Sequence, residues 1–337
     1  MANDQPQRLK FYQEGTFTVG NRLVEPSGRT VQASIDRSNT LTSGHRACQG
    51  CGEALGARFV LDAAMRATNR QLIVVNATGC LEVFSTPYPE SAWQVAWFHS
   101  LFANAASVAS GVAAALRARR NDDVRVLAQG GDGGTMDIGL ACVSGTFERN
   151  DDVLYVCYDN EAYMNTGVQR SSATPAAART STTPAVGDEP GNAFGNGKNM
   201  PLIAMAHGIP YVATASVADL RDLEAKVERA MAIRGARYLH VHVPCPVGWG
   251  CDADRTIQVA RLAVQSGLFP LFEAIDGEIT ARTPIRKRVK VDEYLRLQKR
   301  FAHLFDGSER AARDLARVQA IADRNVARFG LSKEATP

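Results

Sequence analysis

The apolar residues of this chain fall into two alternating patterns. Short continuous runs, "QLIVVNATGC", "DVRVLAQGG", "DVLYVCYDN", "IPYVATASV" and "RYLHVHVPCP", each end in a turn. Strands covered on both faces read this way, because neither face can be polar; the first run predicts a strand from Leu72 to Asn76. Between the runs, "ALGARFVLDAAMRAT", "SLFANAASVASGVAAALRAR", "TMDIGLACVSGTFERN" and "ADLRDLEAKVERAMAIRG" space their apolar residues at helical period. The alternation predicts an α/β fold: a doubly wound, mostly parallel sheet with helices on both faces. No internal repeat interrupts it. Residues 1–40 have no clear period and read as an N-terminal arm. Residues 41–275 form the α/β domain. Residues 276–337 read as a charged, helical C-terminal extension that docks, with "VDEYLRLQKRFAHLF" as a helix. Within the domain, 168–200 is a long loop rich in Ser, Thr, Pro, Gly and Ala. Such loops in compact domains are functional or mobile.

Open parallel sheets bind ligands at the carboxyl ends of their strands. Cys80, Asp132, Asn160 and Cys245 each follow a predicted strand, which puts them at one end of one sheet. The segment "GGDGGTMDIG", Gly130 to Gly139, holds five glycines and two aspartates in ten residues. Dense glycine lets a backbone approach a ligand closely, and the helix expected next attracts phosphate through its free N–H groups. A carboxylate there repels phosphate unless a dication bridges the two. Mg2+ or Ca2+ takes the oxygens on offer, including those of "DNEAYMNTG" at the next strand end. The residues therefore suggest a dication gripping a diphosphate.

Composition narrows the classes. The chain has 337 residues, 45% hydrophobic and 22% charged, with net charge +3. This balance makes no case for nucleic acid or an acidic membrane surface. The basic stretch "RTPIRKRVK" reads as a solvated arm or as a contact with another subunit. No apolar run is long enough to span a bilayer, the polar start lacks a secretory core, and a cytoplasmic location is expected. Seven cysteines, an odd number, argue against a disulfide framework. Cys48 and Cys51 share one tight CxxC turn, which fits zinc, a redox pair or iron–sulfur. With Cys80 and Cys245 they make four thiolates, suited to a 4Fe–4S cluster or a zinc site. Cys251 competes with Cys245 for the fourth place. Cys142 and Cys157 read as core residues. His45 is expected to bond backbone or cluster sulfur, His99 to be semi-buried or to stand at an active-site edge, and His240 and His242, two apart on a strand, to be structural.

The glycine loop resembles the thiamine diphosphate motif, which begins with GDG, here Gly131-Asp132-Gly133 followed by Gly134, and ends near an asparagine about thirty residues on. Together with "HRACQGCGEALGAR", "NATGC", "WFHSLFANAASVASG", "DNEAYMNTGVQRSSATP", "IAMAHGIPYVA" and "PCPVGW", it makes residues 40–275 similar to the β subunits of 2-oxoacid:ferredoxin oxidoreductases. The resemblance implies a thiamine-diphosphate-binding fold. It places Mg2+ on Asp132, Asn160 and the Ala162 carbonyl, and a 4Fe–4S cluster on Cys48, Cys51, Cys80 and Cys245. It sets Asn165 beside the reacting carbon, with Thr166 and Gly167 next to the cofactor. It implies oxidative decarboxylation of a 2-oxoacid, pyruvate or an aryl acid such as phenylglyoxylate. The thiazolium acts as electron sink, the cluster takes electrons singly and coenzyme A takes the acyl group. The chain shows no ferredoxin-type CxxCxxCxxxC run and no GxGxxG fingerprint. The resemblance therefore calls for partners: an α subunit bringing the thiamine-activating glutamate and the substrate-carboxylate site, γ and ferredoxin-like δ subunits, and a flavin/NAD subunit where NAD is the acceptor. The rival reading is a non-redox thiamine decarboxylase or synthase with structural zinc.

Overall fold

The computed structural model describes residues 39–86, 91–195 and 197–332; the arm expected at 1–40 lies outside them except for its last two residues. The elements are α1 (Gly52–Ala67), β1 (Leu72–Ala77), α2 (Cys80–Ser85), β2 (Ala96–Ser100), α3 (Ala105–Ala118), β3 (Arg125–Gly131), α4 (Leu140–Glu148), β4 (Val153–Asp159), α5 (Met200–Ala206), β5 (Tyr211–Ser216), α6 (Leu220–Ala232), β6 (Arg237–His242), α7 (Pro246–Trp249), α8 (Thr256–Ser266), β7 (Phe272–Ile275), β8 (Glu278–Arg282), α9 (Val291–Leu295) and α10 (Glu309–Phe329). They build one eight-stranded sheet in the order β2-β1-β3-β4-β6-β5-β7-β8. The first six strands are parallel; β7 and β8 add an antiparallel edge.

Both faces are covered. On one, Phe59, Val60, Leu223 and Val227 of α1 and α6 pack on Leu127, Leu154 and Leu239. On the other, Ala106, Ala109, Phe147 and Ala204 of α3, α4 and α5 pack on Val75, Ala128 and Val212. The small side chains of α3 let it lie close to β1 and β3. Buried strands with helices on both sides are why the sequence shows continuous apolar runs.

Several elements differ from the pattern reading. The run containing His99 forms β2, an edge strand. His99 is consequently exposed rather than semi-buried, because one side of an edge strand has no neighbour. The predicted helix "TMDIGLACVSGTFERN" divides into a π-helical turn, Gly133–Asp137, and α4. "VDEYLRLQKRFAHLF" divides into α9 and a 3-10 turn, Lys299–Phe305. The division drawn at 275/276 falls in the turn between β7 and β8. Beyond it, Tyr294, Phe301 and Val318 close a third apolar cluster with Trp249 and Ala178, and Phe329 stacks on Phe272 at 4.9 Å. Among the described residues, no helix is long and apolar enough to cross a membrane.

Candidate active site

The chain runs from β1 outward to β2 and returns across β1 to β3. The crevice between β1 and β3 is therefore where the strand order reverses, the place such sheets bind ligands. Thr78, Gly79 and Cys80 after β1, Gly131 to Gly134 at the end of β3, and Asn160 and Ala162 to Thr166 after β4 line a cavity there of about 30 Å3, joined by Glu53. Every predicted thiamine- and Mg2+-site residue except Gly167 lines it. Gly167 lies just beyond, in a turn with φ +118°. A separate cavity of about 650 Å3, between the ends of β5 and β6 and α10, holds none of the predicted site residues.

The glycines serve packing rather than backbone freedom: Gly131, Gly133, Gly134 and Gly139 have no positive φ. A Cβ on Gly133 would stand 2.3 Å from the Tyr163 ring, and one on Gly139 1.9 Å from the Gly134 carbonyl oxygen. Asp132 is 1% exposed. Burial, then the neighbouring Asp159 charge, raises its pKa, while a 2.5 Å hydrogen bond from Ser171 opposes the rise. Asn160, 5% exposed, donates its side-chain N–H to Glu53 at 2.8 Å, and its Oδ1 is buried with no protein partner. A buried acceptor left unpaired beside a buried carboxylate is costly, and a dication would satisfy both. The Ala162 carbonyl can complete such an oxygen set.

Of the predicted cluster cysteines, Cys80 lines the same crevice. The N–H of Cys51 closes the CxxC turn on the Cys48 carbonyl at 3.1 Å, and Gly52 N–H ties that turn to the Pro244 carbonyl beside Cys245. Gly50 at φ +72° is needed twice, since its Cβ would also lie 2.2 Å from Ala253 O. Cys51 caps α1, its sulfur accepting from Ala54 N–H at 3.4 Å, and Cys245 caps α7, accepting from Gly248 N–H at 3.3 Å. Cys80 opens α2. Burial, then the Glu53 charge, pushes the Cys51 thiol up to about 12. Burial pushes Cys245 up to about 11, with Glu53 and Cys48 among the charges acting on it. Cys80 rises further through burial and the charges of Glu53, Cys245, Cys51 and Cys48. The four thiols are thus electrostatic neighbours. The charges acting on Cys251 are those of Arg300 and Asp252. Among the described residues no three His, Cys, Asp or Glu side chains are gathered about a single-ion position. Cys157 is fully buried in β4 and Cys142 partly buried in α4.

The histidines divide. His45 Nδ1 accepts from the Ala47 N–H at 3.3 Å. His99 Nε2 is 2.7 Å from the hydroxyl of pocket-lining Thr78. His240 is held between Tyr238 and Asp159 at 2.6 and 2.9 Å, and His242 is 3.7 Å from Glu161.

Sequence reasoning missed Glu53, read only as the end of a cysteine motif. It is 3% exposed, and burial pushes its carboxyl up to about 7. It also missed Ser171, Ser172 and Lys198, through which the long loop folds over the GDG turn. Ser172 N–H and Lys198 Nζ each reach Asp137 at 3.0 Å. The serine run "QRSSATP" was the signal available.

Known proteins match this chain. The family described as thiamine pyrophosphate enzyme, C-terminal TPP binding domain, matches residues 77–241, which contain Asp132, Asn160 and Ala162. The pyruvate synthase subunit PorB of Methanosarcina barkeri is 53% identical over 292 residues, 86% of this chain and 97% of that one. The chain belongs to the β subunits of 2-oxoacid:ferredoxin oxidoreductases. PorB of Methanocaldococcus jannaschii is 46% identical over 89% of this chain and all of its own. The ketoisovalerate oxidoreductase subunit VorB of Pyrococcus abyssi is 44% identical over 78% of this chain and 85% of its own. In fold, this oxidoreductase subunit resembles 2-oxoglutarate:ferredoxin oxidoreductase from Magnetococcus marinus, solved with 2-oxoglutarate, coenzyme A and succinyl-CoA bound. The TM-score is 0.52 at 24% identity, over 69% of this chain and 84% of that one.

Proposed function

We propose that this β subunit holds thiamine diphosphate beside a 4Fe–4S cluster and forms half of a cytoplasmic enzyme that oxidatively decarboxylates a 2-oxoacid to acyl-coenzyme A and CO2. The observation that carries the reading is Asn160 Oδ1, buried and unpartnered next to Asp132 in the switch crevice. With the Ala162 carbonyl it makes the all-oxygen set a hard dication takes, so Asp132, Asn160 and Ala162 would hold Mg2+ on the diphosphate. Glu53, by accepting from the Asn160 amide, leaves the oxygen rather than the nitrogen for the ion. Ser171 fixes the Asp132 carboxylate.

Cys48, Cys51, Cys80 and Cys245 would hold the cluster. Backbone N–H groups already aimed at two of the sulfurs suit thiolate ligands. A zinc ion would draw four thiolates to within about 3.8 Å of one another. A cubane spreads them over four irons.

Bound thiamine diphosphate supplies the electron sink for loss of CO2. Asn165 and Thr166 line the crevice where they can meet the reacting groups. The crevice has room for an ion or a water, not for the whole cofactor; an α subunit would close it and add the activating glutamate and the carboxylate site. Electrons would leave through γ and δ partners to ferredoxin, or through a flavin subunit to NAD. Pyruvate is the favoured acid, because the relatives at 53% and 46% identity are pyruvate synthase subunits.

The test is made on anaerobically purified complex. Iron, sulfide, zinc and thiamine diphosphate are measured, then EPR is recorded after adding pyruvate, 2-ketoisovalerate or phenylglyoxylate. Iron with thiamine, and a radical or reduced-cluster signal with pyruvate, supports the reading. Zinc without iron overturns it.

A further inference from the structure

The larger cavity, about 650 Å3 between the ends of β5 and β6 and α10, is a second place where this chain can hold a small molecule. Small-molecule sites run from about 300 to 1,000 Å3, and voids larger than a water molecule are few in a packed interior. Its apolar lining includes the rings of Phe269, Phe272, Phe301 and Phe329. Phe269 precedes β7 and Phe272 opens it, whereas Phe301 belongs to the Lys299–Phe305 turn and Phe329 ends α10. The C-terminal segment therefore completes the cavity.

Two buried polar side chains share that lining: Tyr294 of α9 and His242 at the end of β6. Among the described residues, the Tyr294 hydroxyl and both His242 ring nitrogens have no hydrogen-bond partner. The Glu161 carboxylate, 3.7 Å from His242, is beyond bonding reach. A buried polar group left unpaired is costly, and a ligand in the cavity would satisfy both residues. The charges set the ligand's sign. The two lining carboxylates are already engaged, Asp159 by His240 at 2.9 Å and Glu161 by Arg300. Lys198 is engaged by Asp137 at 3.0 Å. Arg324 and Arg328 of α10 line the cavity and are exposed, so it meets the surface there. Neither makes an ion pair among the described residues, and Asp323 beside them is taken by Arg288 at 2.7 Å. The charges left unanswered are positive.

We propose that this cavity binds a small hydroxyaryl carboxylate. Its carboxylate meets Arg324 and Arg328 at the mouth, its ring lies among the phenylalanines, and its hydroxyl meets Tyr294 and His242 inside. Arginine forks match carboxylate geometry. A hydroxyl suits the inner end because it both donates and accepts, and so can answer a phenol and either tautomer of an imidazole. None of the residues given to thiamine diphosphate, Mg2+ or the cluster lines this cavity, so the site stands or falls apart from those assignments.

The test is calorimetric titration of thiamine-depleted complex with phloretate (para-hydroxyphenylpropionate), with and without excess pyruvate. One saturable site per chain that pyruvate does not displace is expected. Replacing both arginines, Arg324→Gln with Arg328→Gln, should weaken binding about tenfold or more, and phloretamide, which lacks the charge, should bind wild type that much more weakly. Tyr294→Phe should weaken phloretate roughly threefold or more, while phenylpropionate, which lacks the hydroxyl, should not distinguish Tyr294→Phe from wild type. Since the Tyr294 hydroxyl has no protein partner to lose, Tyr294→Phe should leave the melting temperature of the ligand-free complex unlowered. Ala263→Phe, which fills the cavity, should abolish binding; if that variant does not assemble, the exposed arginine pair, which leaves the core intact, decides. No saturable binding at millimolar phloretate, displacement by pyruvate, or affinity unmoved by the arginine pair overturns the proposal and leaves the cavity to water.

Discussion

Asn160 and Glu53 join two parts of the chain that lie 107 residues apart: the amide of one donates to the carboxyl of the other at 2.8 Å. Glu53 stands two residues after Cys51 and Asn160 one residue after β4. A single hydrogen bond thus links the CxxC turn to the GDG crevice.

Asp132→Ala and Asn160→Ala are expected to weaken Mg2+–thiamine diphosphate binding by about 100-fold or more, since even indirect partners of a metal are worth 10–100-fold. Iron content should stay at the wild-type level. Calorimetric titration of thiamine-depleted complex, with iron analysis of the same samples, checks both. Parallel loss of iron in correctly folded protein would contradict separate sites.

In the proposed assignment Cys80→Ser and Cys245→Ser should each lose the cluster, whereas Cys251→Ser should keep it, because Cys245 directly follows β6 and caps α7 while Cys251 lies beyond that helix. Iron and sulfide per chain decide this. Full iron in Cys245→Ser with none in Cys251→Ser would reverse the assignment.

Gly133→Ala forces a methyl to 2.3 Å from the Tyr163 ring. Overpacking of this kind costs roughly 1–3 kcal/mol. The expected result is a lower melting temperature and poorer thiamine retention, both partly restored by adding Tyr163→Ala. No rescue by the second change would mean that the clash lies elsewhere.

Glu53 makes the cofactor-free chain sensitive to pH. Its folded-state pKa is raised from 4.5 to about 7 by burial, against the opposing bond from Asn160. The neutral form is therefore the one the fold prefers. Its contribution is complete below pH 4.5 and is lost as pH climbs through 7, by about 3 kcal/mol in total. Urea unfolding of apoprotein at pH 5 and pH 8 should show the fall, and Glu53→Gln should flatten it. An unchanged slope in the variant would assign the pH dependence to other groups.

At the opposite end of the sheet, Asp152 faces Arg237, Arg125 and Arg234. Burial works against its ionised form, yet the arginines, Arg237 foremost, hold its carboxyl below the usual range. Arg237 is 0% exposed, so Asp152→Asn strands a buried charge and should cost about 3–5 kcal/mol. Adding Arg237→Met should recover most of that loss in denaturant melts.

What the sequence disclosed followed from local pattern. The central strands were legible because burial on both faces writes itself as an unbroken apolar run, as in β1 and β4. β2 was not, because an exposed edge strand carries "AWFHS", which has neither an apolar run nor clean alternation. Asp132, Asn160, Cys80 and Cys245 were legible as residues following strands, and Cys48 and Cys51 as a CxxC turn. Glu53 and Arg300 were not, since each gains meaning only from a distant partner. Glu53 needs Asn160, and Arg300 needs Glu161, 139 positions away. Neither spacing has a periodicity to betray it.

The four thiols of the cysteine site also impose an order on biosynthesis. Cys48 and Cys51 leave the ribosome first, Cys80 soon after, and Cys245 only when nearly three-quarters of the chain has been made. At about 5–20 residues per second, roughly ten to forty seconds separate the CxxC pair from the last thiol. During that interval the early cysteines would be a partial ligand set of the proposed centre, open to oxidation and to stray metals. The proposed centre, needing all four, would be loaded only after β6 has joined the sheet and set Cys245 at the start of α7.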